Sequence, residues 1–509
     1  MRTLVLIALV LVTVVAAGVH RQVKPNKKNQ RDIFLQLLTR SAAPEQPRKP
    51  TASNTPDKAV VVENFFTTQV DHFNLQNTEQ WTLRYFSVTD YYKPGGPILI
   101  FLAGYRPLYP QMIDEQTLLY EMGREMNGAV YGFETRFYGN SRITEDVSTE
   151  NLRLLNADQV LADLAEFVTY LRNEVLEDPT ARVLVAGAEY GGGLAAWFRI
   201  RYPHLGNVAW ASSGYMNAIM NFEAFSEAWG ETLINHGSPQ CYNEIFVAFH
   251  VMQNLIDLGR ADVLFEKLNI CHEIDPENEF QVQYLFFTLM GSIELFTIAR
   301  KNLDDFASVC EDITSADGDT AVDAFANWFN NRWGDDDDEC LVSDPEVTVE
   351  KLQNIEWDSL SNLIGGRQAL YQECSEFGWF FTTDSPFQPF GDRVNIEFFI
   401  EMCRRVFGEW ITGETIGRAV DRANNRFGGA NPGSSFTHFV NGGADPWRTI
   451  SITRNLTLDA TSVVIPNQLG SADVYATSED DAPELLEAKR NLKAKLAGYL
   501  FPIDPFENP

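Results

Sequence analysis

The chain has 509 residues, 45% hydrophobic and 22% charged, with 70 acidic against 40 basic side chains and a formal net charge of −30. That length can bury a large core and suits two domains, and the composition is that of a globular protein rather than a disordered or fibrous one. So acidic a balance argues against nucleic acid and anionic membrane as partners.

Residues 1–18 (MRTLVLIALVLVTVVAAG) set Arg2 before an apolar run that ends in small residues. This is the pattern of a secretory signal, with cleavage before Val19. No later stretch is continuously apolar for long enough to span a bilayer. The expected destination is extracellular, with the lysosome or a secretory granule as the alternative. Residues 19–58 are basic, carry Pro44, Pro47, Pro50 and Pro56, and show little hydrophobic pattern apart from 33–38. They read as a disordered leader or a pro-segment.

Folded sequence begins near Val60. Residues 81–88 alternate and lead into Lys93-Pro94-Gly95-Gly96, a hairpin-like signal. Residues 97–102 (PILIFL) and 129–133 are continuous apolar runs suited to strands covered on both faces. Asn156 is placed to cap a helix from Ala157 to about Val175, with Val160, Leu161, Leu164, Phe167, Val168 and Leu171 on one face. Strands at 183–186 and 208–212 follow, and strands alternating with helices imply a parallel α/β sheet.

The central stretch is 182–205. A β-branched and aliphatic strand runs into Gly187-Ala188-Glu189-Tyr190-Gly191-Gly192, then into a helix that stops at Pro203. Glycines on both sides of one polar residue describe a nucleophile elbow, which lifts a single side chain above the sheet. The hexapeptide alone fits an ordinary tight strand-to-helix turn equally well. The lifted residue is Glu189.

Residues 220–425 show amphipathic helical pattern and contain all six cysteines, Cys241, Cys271, Cys310, Cys340, Cys374 and Cys403. In an exported chain this even count predicts three disulfides, with fifteen connectivities open. No pair has CxxC spacing, so no metal and no cofactor is expected. Residues 334–339 (GDDDDE) lack the spacing of a calcium loop and read as a solvated acidic loop. Strand sequence resumes at 435–440 and 462–466, and a closing helix spans about 483–500. Asn455-Leu456-Thr457 is a glycosylation sequon, with Asn455 as acceptor.

Seven segments in order resemble the secreted and lysosomal serine exopeptidases that include prolyl carboxypeptidase, dipeptidyl peptidase II and thymus-specific serine protease. They are 66–73 (FTTQVDHF), 84–86, 96–102, 136–141 (RFYGNS), 187–204, 371–390 (YQECSEFGWFFTTDSPFQPF) and 441–447 (NGGADPW). The resemblance implies an α/β-hydrolase core with an inserted helical cap. On that layout residues 59–214 and 425–509 form the core and 215–424 the disulfide-bonded cap, after the signal (1–18) and leader (19–58). It also implies the pairing Cys241–Cys310, Cys271–Cys340 and Cys374–Cys403.

The resemblance fails at the chemistry. The family elbow is GGSYGG, and Glu189 stands at its serine. The aspartate of NGxxDPW matches Asp445. The family's histidine lies in the loop before the last helix, here residues 467–475 (NQLGSADVY), which holds none. None of the seven histidines follows Asp445, so the fold's chain order of nucleophile, acid and base lacks a base. His438 would sit within the strand, about 10 Å short of the catalytic face. The family's GGEG, whose backbone helps form the oxyanion pocket, is Ala103-Gly104-Tyr105-Arg106, and its EHR triplet is Glu134-Thr135-Arg136. Tyr190 with Gly104, Tyr105 and Arg106 would line the old oxyanion cleft. Phe377, Trp379, Phe380, Phe381 and Trp447 would form the aromatic pocket, or else lie as plain core under the cap.

A carboxylate nucleophile does not help amide hydrolysis, and its charge would repel a developing oxyanion. The expectation is a pseudoenzyme that binds a peptide or protein partner in or near the old cleft. The alternatives are an active serine-type exopeptidase with another catalytic arrangement and a purely structural extracellular protein. Oligomeric state is open, with a homodimer among the options. Glu189 and Asp445 are expected to project into one cleft, with a shared proton or an arginine, Arg106, close by.

Overall fold

The computed structural model describes residues 30–39, 58–300, 303–315, 320–333 and 340–501. The signal, most of the leader and the 334–339 loop lie outside the described residues. Eight strands make the main sheet: β1 Val62–Gln69, β2 Gln80–Val88, β3 Ile98–Leu102, β4 Ala129–Phe133, β5 Val183–Ala188, β6 Val208–Ser212, β7 Thr437–Gly442 and β8 Ala460–Ile465. Their order across the sheet is β8-β7-β6-β5-β3-β4-β2-β1. Every pairing from β8 to β4 is parallel, and β2 lies antiparallel to both β4 and β1. This is an α/β-hydrolase core.

The hairpin expected after residue 88 does not form. β2 pairs with β1 and β4, and β3 enters the sheet between β4 and β5. The turn at 93–96 is a local reversal: Gly96 N–H donates to the carbonyl of Lys93. A turn signal states that the chain reverses, not which strand becomes its neighbour.

Alternate side chains of the buried strands serve opposite faces. Ile98, Ile100, Leu102, Val183 and Val185 pack with the helices Ala157–Tyr170 and Tyr190–Arg201 in a core continuous with the cap. Leu99, Leu184, Ala186, Trp210 and Val440 pack with helices Leu118–Glu125 and Pro483–Leu500 on the other face. Asn156 caps its helix as expected, its side chain accepting from Gln159 N. Full burial on both faces explains why these strands read as unbroken apolar runs.

The residues between β6 and β7 form mainly helices, from Glu223–Thr232 to Gly413–Phe427. The last of these continues past the boundary placed at 424 before β7 begins. The three disulfides are Cys241–Cys310, Cys271–Cys340 and Cys374–Cys403, as the resemblance implies. No helix among the described residues is long and apolar enough to cross a membrane.

The leader needs correction. Gln30–Arg31 pairs parallel with Cys340–Leu341, and Ile33–Thr39 is a helix with Ile33, Phe34, Leu35 and Leu37 buried. Its composition is that of a linker, but this apolar stretch finds its partners more than 200 residues away in the cap.

Candidate functional site

The elbow is formed. Glu189 joins β5 to the helix Tyr190–Arg201 with φ 57° and ψ −124°, backbone space that non-glycine residues rarely occupy. Its N–H donates to Ser212 O at 2.9 Å, and its carbonyl accepts from Gly193 and Tyr215. A Cβ on Gly187 would come within 2.3 Å of the Gly191 backbone, and one on Gly191 within 2.5 Å of Leu102 O. Both glycines are steric requirements of the turn.

Glu189 is not left alone on its perch. Arg106 Nη2 donates to its Oε2 at 2.7 Å, with the two side chains 31% and 23% exposed. The loop that carries Arg106 lies against the elbow: a Cβ on Gly104, at φ 70°, would stand 2.9 Å from Gly191 N. In place of an open anion pocket, this loop brings a cation to the raised carboxylate.

Asp445 follows β7 at the same end of the sheet. With only β6 between β5 and β7, the two carboxylates leave strands about 10 Å apart by ordinary strand spacing. Asp445 is 5% exposed, and its Oδ1 accepts from Trp447 N at 3.0 Å. Its other oxygen faces Gly470, where an added Cβ would lie 2.6 Å from Oδ2 and 3.4 Å from Ser213 Oγ. Gly470 therefore lies directly against the Asp445 carboxylate. The loop is held there by Ala444 N donating to Gln468 O and Ser471 N donating to Ser213 Oγ. Neither Gly470 nor Ser213 is singled out by any sequence motif.

His438 is a core histidine. Its Nδ1 lies 2.8 Å from Thr461 Oγ1 on β8, and burial pushes its pKa down to about 4. The Glu134-Thr135-Arg136 triplet is likewise architectural. Buried Glu134 accepts from Arg84, Leu108 N, Asn140 N and Ser141 Oγ. Arg136 grips Asp163 through Nε at 2.6 Å and Nη2 at 2.7 Å, both side chains fully buried, and Asp163 also meets His72 Nε2 at 2.7 Å.

The aromatic residues form a packed floor. Tyr105 stacks on Tyr190 with ring centroids 4.2 Å apart, and Trp379 stacks on Phe377 at 4.5 Å and meets Tyr215 at 5.2 Å. Phe380 stacks on Phe399, while Phe381 and Trp447 both pack against Phe225. All five expected pocket residues are buried. Beneath them Gln372 donates to the Tyr190 hydroxyl at 2.9 Å and to Glu376 at 3.2 Å. Burial pushes the Glu376 carboxyl up to about 7, although it accepts from Ala157 N and Gln372. Neither Gln372 nor Glu376 was expected at the site; both lie inside the 371–390 segment. Asn455 is exposed, its side-chain oxygen accepting from Ser462 N.

The sheet order and the elbow define a capped α/β-hydrolase-type protein. The chain belongs to the serine carboxypeptidase S28 family, whose pattern matches residues 68–492. It is 26% identical over 469 residues to thymus-specific serine protease of Mus musculus, covering 87% of this chain and 88% of that one. It is 23% identical over 460 residues to lysosomal Pro-X carboxypeptidase of Bos taurus, covering 84% and 85%.

Proposed function

We propose that this chain is a non-catalytic member of its family, exported from the cell, that engages a peptide or protein partner at the mouth of the former active-site cleft. The observation that carries this reading is Glu189 at the serine position of the elbow, ion-paired to Arg106, together with the lack of any histidine after Asp445. Serine-type acyl transfer needs a hydroxyl activated by a base, and free hydrogen-bond donors aimed at the developing oxyanion. A carboxylate is no such hydroxyl, its negative charge repels an oxyanion, and it engages the nearby guanidinium. What the cleft mouth offers is a part-exposed pair of opposite charges above an aromatic floor, which suits recognition of a polar backbone or zwitterionic terminus.

A purely structural role is the second reading, favoured by the mutual packing of Tyr105, Tyr190, Trp379 and Phe377. A fluorophosphonate probe and a panel of proline-containing peptides test both. No labelling and no hydrolysis, with peptide binding weakened by Arg106→Ala, supports the proposed role. Labelling that Asp445→Ala abolishes overturns it. Absence of peptide or protein binding, with or without the substitution, selects the structural reading.

A further inference from the structure

We propose that residues 30–39 are a docked part of the cap, held by a groove for a short apolar helix preceded by an acidic residue, and that their attachment does not depend on the covalent connection through 40–57. The argument starts from the sequence DIFLQLL at 32–38. Five of its seven side chains, Asp32, Ile33, Phe34, Leu35 and Leu37, are buried at 6% exposure or less. Such burial is out of character for a basic, proline-rich leader.

Three of the buried side chains have a defined counterpart on the cap. Phe34 lies among Tyr284, Phe287 and Phe398, with ring centroids 5.9, 5.1 and 6.3 Å away. Leu37 fits over Gly291, where an added Cβ would meet its Cδ1 at 2.3 Å. Asp32 is the polar anchor. Its carboxylate accepts from Leu35 N at 3.2 Å, capping the helix, and from Thr348 Oγ1 at 2.8 Å and Lys351 Nζ at 2.9 Å. The preceding residues add a parallel pairing, Gln30 with Cys340 and Arg31 with Leu341, beside the Cys271–Cys340 disulfide.

An apolar face, a paired charge and a strand pairing are three independent kinds of fit, and none involves the residues that follow Thr39. The groove also bears on the cleft. Phe287, on which Phe34 packs, lies 5.2 Å from Phe381, and Phe381 is 6.1 Å from Trp447, two residues beyond Asp445. The N-terminal helix thus braces the cap wall that backs the aromatic floor.

The test uses the full chain with a recognition sequence for a specific protease inserted after Pro47. After cleavage without denaturant, the fragment ending at Pro47 is expected to co-elute with the body on gel filtration in a one-to-one ratio. Elution of that fragment at its own volume, with the body still monodisperse, overturns the proposal. Phe34→Ala with Leu37→Ala in the same chain is expected to release the fragment on cutting, and so is Gly291→Leu from the cap side. Retention of the fragment by both variants overturns the assigned groove, whatever the parent chain does. Should a variant fail to fold, the cut parent chain still decides.

Discussion

Arg106 Nη2 and Glu189 Oε2 lie 2.7 Å apart, joining the loop after β3 to the turn after β5. This contact turns the most exposed point of a hydrolase elbow into one half of an ion pair. It also leaves Glu189 in a backbone conformation, φ 57° and ψ −124°, that its side chain does nothing to relieve. A part-buried pair of this kind contributes on the order of 1 kcal/mol, whereas such backbone strain costs about 1–3 kcal/mol. Glu189→Gly is therefore expected to leave stability unchanged or raise it by about 1 kcal/mol, and Glu189→Val to lower it. Urea denaturation of the two variants against the parent measures both.

Restoring the serine alone is expected to restore nothing. Gly470 leaves Asp445 with no imidazole between it and residue 189, so Glu189→Ser has a hydroxyl but no base. Steady-state assays on Xaa-Pro peptides and fluorophosphonate labelling should both stay at background. Measurable turnover by this single variant would show that some other group serves as base.

The disulfides close loops in the cap with sequence separations of 69, 69 and 29 residues. In the chain-entropy picture each contributes roughly 3–4 kcal/mol by restricting the unfolded chain. Replacing Cys271 and Cys340 together by serine should lower the unfolding free energy by that order, read from urea denaturation. It should also loosen the Gln30–Arg31 pairing beside it, visible as faster amide exchange there.

The Arg136–Asp163 pair is fully buried and bidentate. Removing one partner of such a pair leaves an uncompensated charge in the interior, at a cost of about 3–5 kcal/mol. Asp163→Asn is expected to fall in that range, while an exposed pair such as Arg153–Glu150 should be nearly silent. Equal effects from the two would refute the structural role given to the family's buried arginine.

Three buried groups make stability depend on pH, two in one sense and one in the other. Burial raises the Glu376 carboxyl from 4.5 to about 7, so its contribution is full below pH 4.5 and is lost as pH climbs through 7. For His72, burial favours the neutral ring, but hydrogen bonds to Asp163 and Glu166 more than reverse this and push it up to about 9. That contribution is full below pH 6.5 and is lost through 9. His438, pushed down to about 4 by burial, acts in the opposite sense and is lost as pH falls from 6.5 through 4. The Glu376 and His438 effects oppose each other between pH 4.5 and 6.5, so through that range urea midpoints should rise with pH in Glu376→Gln and fall with pH in His438→Gln, while His72→Gln should lose the alkaline fall.

What was legible in the sequence was set by local rules. The elbow could be read because Gly187 answers to crowding by Gly191 only four residues on, and the lack of a histidine after Asp445 because a count needs no coordinates. The parallel core and the helical cap followed from apolar runs and helical periodicity, which neighbours along the chain impose. The tertiary structure decided the rest, because those properties depend on residues distant in sequence. Residue 93 could announce a turn but not that β2 would lie between β1 and β4. Nothing near Gly470 shows that it faces Asp445, and the sequence left open whether Glu189 would share a proton with Asp445 or pair with Arg106. Residues 32–38 look like a brief apolar interruption of a linker until the cap, with Lys351, Tyr284 and Gly291 already in place, provides the surface that buries them.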